Sequence, residues 1–165
     1  MMLMRVLTAV SILLLAGCQQ PTASTEPASF SAQADIAAIR QLQSDWNVAV
    51  EAGSVDGYAA VLDDDIELLP TDAEPINGVG NYRAMLNGVF DSDNFQVEVM
   101  GLSDIEVDGD RAYARYDYII HRTPKGSTET VSSYRKFLDV MRRQDDGSWR
   151  VYKHIWNYNE PDVVP

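Results

Sequence analysis

Cysteine is almost missing from this sequence: Cys18 is the single thiol in 165 residues. One thiol excludes an internal disulfide and any zinc site built on paired cysteines. Histidine is nearly as scarce, with only His121 and His154. No metal site is expected from two imidazoles, and no motif implies a cofactor. Basic residues are outnumbered, 13 Lys and Arg against 25 Asp and Glu, for a net charge of −12. That sign argues against nucleic acid as a partner, because phosphate binding needs a basic surface. It also argues against an electrostatic hold on anionic lipid headgroups. Long apolar runs are missing as well. The one run present, residues 6–16, is too short to cross a bilayer as a stable helix. No internal repeat is visible.

What is present is ordinary for a single domain with a core: 45% hydrophobic and 23% charged residues. The apolar run follows Arg5 and matches a secretory signal. It closes with Leu15-Ala16-Gly17-Cys18, which resembles the bacterial lipobox. The resemblance implies a signal peptide over residues 1–17, cut before Cys18, and a lipid on the Cys18 thiol. The membrane is then a partner through that anchor, and the location is the bacterial cell envelope. Gln19 follows where an inner-membrane retention signal has aspartate, so the outer membrane facing the periplasm is implied for a host with two membranes. Residues 18–30 are rich in Gln, Pro, Thr, Ala and Ser and read as a tether. The folded domain is expected over residues 31–160, with residues 161–165 a tail.

Residues 31–52 predict a helix capped by Ser31 or Asp35, with Ile36, Ile39, Leu42, Trp46, Ala49 and Val50 at helical spacing and Gly53 as the stop. A second helix is expected over residues 55–62, with Tyr58, Val61 and Leu62 inward. Asp63-Asp64-Asp65 reads as a solvated helix end rather than a metal site, because a hard cation needs ligands from several directions. Residues 66–69 predict a short strand stopped by Pro70, then a loop over residues 71–80. A third helix is expected over residues 81–90, with Tyr82, Met85, Leu86 and Val89 apolar. Strands follow over residues 95–107, with Gly101 a bend or bulge, and over residues 111–122, after the turn signal Asp108-Gly109. In the latter, Ala112, Ala114, Tyr116, Tyr118 and Ile120 share a face.

The last hairpin organises the chain. Asp146-Gly147 predicts a two-residue turn. That register sets Asp139 opposite His154, Phe137 opposite Trp156 and Met141 opposite Tyr152 on one face. Leu138–Ile155, Val140–Lys153 and Arg142–Val151 pair on the other. Helices followed by hairpin-linked strands give an α+β domain with an antiparallel sheet.

This order resembles the cone-like curved sheet, packed by three N-terminal helices, of nuclear transport factor 2, scytalone dehydratase and ketosteroid isomerase. The SnoaL-like small domains are closer still. The resemblance rests on Trp46-Asn47-Val48-Ala49-Val50-Glu51-Ala52-Gly53, the Asp-rich approach to Leu69-Pro70, the glycine before the third helix, and Asp146-Gly147-Ser148-Trp149-Arg150-Val151 leading to Trp156-Asn157. It implies a pocket wrapped by the sheet and closed partly by the first helix. Asp139 takes the place of the isomerases' oxyanion-donating aspartic acid, and Trp156 that of a pocket tryptophan. Trp46 falls where those enzymes have an oxyanion tyrosine. Leu69 falls at the proton-shuttling aspartate, and leucine cannot abstract a proton, so that mechanism is not expected.

His154 is the candidate replacement base, with Asp139 beside it, a pairing suited to acid–base work near neutrality. Tyr116 and Tyr118 are candidate hydroxyl donors. The expected pocket wall is Trp46, Tyr58, Leu69, Tyr116, Tyr118, Phe137, Met141, Tyr152 and Trp156. His121 alternates to the outer face. Three functions stay open: binding of a small apolar or aromatic molecule, lyase or isomerase chemistry through His154 and Asp139, and a non-catalytic envelope interaction domain with a filled core. A homodimer through the outer face, with Leu138, Val140 and Ile155, follows from the resemblance.

Overall fold

The computed structural model describes residues 31–159. The expected signal peptide, Cys18, the expected tether and the expected tail therefore lie outside the described residues. Helix α1 spans Ala32–Glu51, capped by the Ser31 hydroxyl, which accepts from the Ala34 amide at 3.2 Å. Asp35 is not the cap; it is buried and paired with Arg143. Gly53 ends the helix at φ +61°, a conformation without steric cost only for glycine. Helix α2 is short, Val55–Ala60, capped by Ser54. The chain then enters β1 at Leu62, so the strand is Leu62–Leu69, longer than expected.

Asp63-Asp64-Asp65 therefore lies within a strand. Asp63 is 2% exposed although it is off the parity of the inward Ile66 and Leu68, because the β1–β6 register shifts between Leu62 and Glu67. There Arg142 holds it with two hydrogen bonds and Gln144 adds one of 3.0 Å. A two-residue strand β2, Ile76–Asn77, pairs with β1 inside the expected loop. Helix α3 is Val79–Ser92. Strands β3 (Asp93–Asp108), β4 (Arg111–Pro124), β5 (Val131–Arg143) and β6 (Trp149–Tyr158) complete the chain. The β3–β4 register shifts between Met100 and Asp104, around Gly101 at φ +76°.

The six strands form one sheet in the order β2-β1-β6-β5-β4-β3. It is not wholly antiparallel, because β1 runs parallel to β6. Hairpin signals report neighbours along the chain, whereas this pair joins segments with the rest of the sheet between them. The helices cover one face. Along β4 the expected inward set, Ala112, Ala114, Tyr116, Tyr118 and Ile120, is buried throughout. Ile39 of α1, Ile66 of β1 and Met141 of β5 meet in the core at 0% exposure.

The final hairpin differs from the expected one in a specific way. Its loop has three residues, Asp145, Asp146 and Gly147: the Gln144 amide donates to the Ser148 carbonyl at 2.7 Å, and Gly147 sits at φ +85°. Near the turn Met141 therefore pairs with Val151, not Tyr152, and Arg142 with Arg150. A bulge at Tyr152 absorbs the extra residue. Beyond it the expected pairs hold: Val140–Lys153, Asp139–His154, Leu138–Ile155 and Phe137–Trp156. Before the bulge Trp149 and Val151 point inward; after it, His154 does.

Candidate functional site

The curved sheet and the helices enclose a cavity of about 360 Å³. Trp46 and Val50 reach it from α1, Tyr58 from α2, and Leu68 from β1. Helix α3 contributes Tyr82, Met85, Leu86, Val89 and Phe90, which recur at three- and four-residue spacing and so share a stripe. The sheet supplies Phe95, Ile120, Phe137, His154, Trp156 and Arg135. Pro70, Ala73 and Glu74, after β1, form part of the rim. The wall is aromatic and aliphatic, with few polar groups, the usual character of a small-molecule site.

His154 is the wall's imidazole. Its Nδ1 lies 2.5 Å from Asp139 Oδ1, and both side chains are buried. The second Asp139 oxygen accepts from the Tyr116 hydroxyl. An acceptor at Nδ1 fixes the neutral ring as the Nδ1–H tautomer, leaving the Nε2 lone pair for whatever fills the cavity. Burial, reinforced by the Asp139 charge, pushes the Tyr116 hydroxyl well above its ordinary pKa, so it stays a donor. Phe137 stacks on Tyr116 with centroids 5.4 Å apart and meets the His154 ring at 5.5 Å.

A second polar point lies on the helical wall. The Tyr58 and Tyr82 hydroxyls are 2.9 Å apart and buried. Desolvation pushes Tyr58 up to about 12 and Tyr82 well above its ordinary value. Two phenols sharing one hydrogen bond leave one proton to donate to a ligand oxygen. The Trp46 ring sits edge-on to Tyr58 at 5.6 Å and stacks on Tyr118 at 5.3 Å.

The family profile of the SnoaL-like domain matches residues 31–154. The chain belongs to the SnoaL-like domain family. Solved structures agree on the fold. A provisionally assigned aromatic ring hydroxylase of Novosphingobium aromaticivorans superposes with a TM-score of 0.72 at 19% identity, over 80% of this chain and 94% of that one. A ketosteroid isomerase-like protein of Erwinia carotovora atroseptica gives 0.66 at 17% identity, over 77% and 98%. A provisionally assigned scytalone dehydratase of Novosphingobium aromaticivorans gives 0.70 at 16% identity, over 77% and 85%. No curated protein matches the chain. At these identities the likeness shows the fold alone, and the site must be argued from its own residues.

In this SnoaL-like domain Trp46, Tyr58, Phe137, His154 and Trp156 converge on the cavity. Asp139 stands behind His154 rather than in the wall. Tyr116 and Tyr118 lie one layer back, covered by Phe137 and Trp46. Met141 is packed into the core beyond the cavity. Tyr152, at the bulge, faces outward between Arg111 at 5.0 Å and Arg142 at 5.5 Å. Leu69 is also displaced: it pairs with Ile155 on the outer side, and Leu68, beside His154, is the inward residue. A leucine still stands at the β1 end of the wall, so β1 brings no carboxylate to the cavity. His121 is on the outer face, bonded to Ser132 at 2.8 Å. There Leu138 and Ile155 face each other, 40% and 39% exposed.

Sequence reading missed Arg135, Tyr82 and the α3 stripe as wall residues. The signal for Arg135 was available, since it alternates onto one face of β5 with Phe137 and Asp139. The signal for Tyr82 was only its place in an apolar stripe, which does not tell core from cavity.

Proposed function

We propose that this domain binds a small ring compound in the cavity and that His154 moves a proton on it, as a lyase or isomerase does. The observation that supports this most directly is the buried Tyr116–Asp139–His154 chain ending at the cavity. A site for binding alone has no need of a hydrogen-bonded carboxylate behind its imidazole, whereas a general base gains its tautomer and aim from one. In the reading proposed, Nε2 takes a proton from carbon next to a carbonyl. The C–H electrons move to the carbonyl oxygen, which accepts a hydrogen bond from the Tyr58–Tyr82 pair. The imidazolium then returns the proton, either to another carbon, completing an isomerisation, or to a leaving hydroxyl, releasing water.

The test is exchange of the acidic C–H of 2-tetralone in D2O, followed by proton NMR. The full chain is expected to accelerate exchange, and His154→Ala is expected to abolish the acceleration while leaving tetralone binding in place. Binding without any acceleration reduces the function to ligand capture. Absence of both points to an interaction domain.

We also propose a lipid anchor at Cys18 that holds the domain at the cell envelope, the reading supported by Leu15-Ala16-Gly17-Cys18. Cys18→Ser should move the protein from the membrane pellet to the soluble fraction. The outer-face pair Leu138 and Ile155 supports self-association of two copies, which a strict monomer in sedimentation at micromolar concentration would overturn.

A further inference from the structure

Arg135 is the wall residue that a neutral ligand leaves unexplained. It sits on β5 at the rim, on the same face as Phe137 and Asp139. Its Nε donates to the Ser133 hydroxyl at 3.0 Å. Its guanidinium lies over the Trp156 ring at 4.5 Å and near the Tyr158 ring at 5.3 Å. Among the described residues, neither nitrogen at the end of the fork has an acceptor and no carboxylate forms an ion pair with it. Arg142 and Arg143, on the same strand, are both held by aspartates. Burial strips water from Arg135 and pulls its pKa below the ordinary arginine value. Glu74, exposed on the rim, is the wall's carboxylate and lies beyond ion-pair reach of the guanidinium. A half-buried cation with an aromatic floor and a vacant planar fork is the arrangement that takes a carboxylate in two parallel hydrogen bonds.

We propose that the molecule bound in this cavity is an aromatic or alicyclic carboxylate, whose carboxylate is taken by Arg135 while its ring lies against Phe137 and reaches toward His154. This rests on the cavity being a ligand site, and it adds the substrate class. The spacing fixes the shape. Arg135 and Asp139 are four residues apart on one strand, about 13 Å at about 3.3 Å per residue. The two side chains that act, Arg135 and His154, close part of that span. The ligand therefore holds its carboxylate a ring's length or more from the carbon that His154 addresses. An α-keto acid, whose reactive carbon adjoins its carboxylate, is the wrong shape.

The experiment is calorimetric titration of the full chain with 2-naphthoate and with 2-naphthylmethanol, which share a ring system and differ in charge. The carboxylate is expected to bind roughly 10- to 100-fold more tightly than the alcohol, the range for a charge-assisted bidentate contact. Arg135→Gln should erase that preference, and Arg135→Lys should restore part of it. Equal binding of the two probes to the wild type overturns the inference while the cavity reading stands. A preference that survives in Arg135→Gln also overturns it. Failure of both probes to bind removes the inference together with the reading beneath it. The wild-type comparison needs no variant, so a misfolded Arg135→Gln leaves the test intact.

Discussion

Asp139 is shared between His154 and Tyr116, one carboxylate oxygen to each. All three groups are buried, so neither donor has water to fall back on. Asp139→Ala should therefore strand two donors at about 1–3 kcal/mol each, for an expected loss of about 3 kcal/mol in urea unfolding. Adding Tyr116→Phe removes one stranded hydroxyl and should return part of that loss. Additive losses in the double variant would mean that Tyr116 is not held through Asp139.

The same contact predicts a spectroscopic signature. In the neutral ring the proton belongs on Nδ1, so 15N spectra should show an Nδ1-protonated His154 in the wild type at alkaline pH. His121, which among the described residues meets Ser132 through Nδ1 and Glu98 through Nε2 on the outer face, has no carboxylate at Nδ1. Asp139→Asn should let His154 drift toward the Nε2–H form usual in free imidazole. An unchanged tautomer in Asp139→Asn would show that the carboxylate does not orient the ring.

Acid should loosen the fold through two aspartates. Hydrogen bonds from Arg142 hold the Asp63 carboxyl at about 2, and Arg143, helped by Trp149, holds Asp35 below its ordinary value. A carboxyl whose pKa is depressed in the folded state stabilises it fully above the unfolded value of 3.8. That contribution is lost as pH falls toward the folded value. Urea midpoints should therefore be flat near neutrality and fall steeply between about pH 4 and pH 2. Asp63→Asn should start lower and fall less. Equal slopes for wild type and variant would remove Asp63 from the account.

Asp35 also ties α1 to the sheet. It accepts from Arg143 at 2.7 and 2.9 Å and from the Trp149 indole at 3.2 Å. Arg143 in turn reaches Asp110 at 3.1 Å and lies over the Trp149 ring at 4.4 Å. Asp35→Ala removes the buried partner of Arg143, leaves it the exposed Asp110 carboxylate, and strands the Trp149 indole. The expected cost is about 1–3 kcal/mol, visible as a lowered melting temperature. A loss below about 1 kcal/mol would place this pair with exposed ones.

Most elements of this fold were legible because they rest on local signals. The stripe of α1, the alternation of β4 and the glycine at the β3 bulge are all written within a few residues. The parallel pairing of β1 with β6 has no such signal, and neither has β2. The site was half legible. His154 and Asp139 follow from strand pairing, and Arg135 alternates with them. The helical wall does not follow, because Tyr82 and Leu86 look the same in a sequence whether they fill a core or line a space. Tyr152 was misplaced because period two was carried through a bulge. The register of Asp139 and His154 came out right because the third loop residue and the bulge at Tyr152 cancel.

That cancellation yields the last prediction. On the turn side of the bulge, Met141 faces Val151; on the far side, Val140 faces Lys153. Tyr152 is the residue without a place in either ladder. Deleting Tyr152 should therefore close the bulge while leaving every pair on both sides as it is, with His154 still opposite Asp139. The expected cost is small, set by the Tyr152 ring contacts with Arg111, Arg142 and Lys153, about 1–2 kcal/mol in all at cation–π sites of this kind. The 15N signature of His154 should survive. Inserting one alanine between Lys153 and His154 should do the opposite. It carries His154 to the outer face, since one residue of slip exchanges the two faces of a strand. The Nδ1 signature should then vanish. If the deletion abolishes that signature, the bulge itself positions His154, and strand register alone does not.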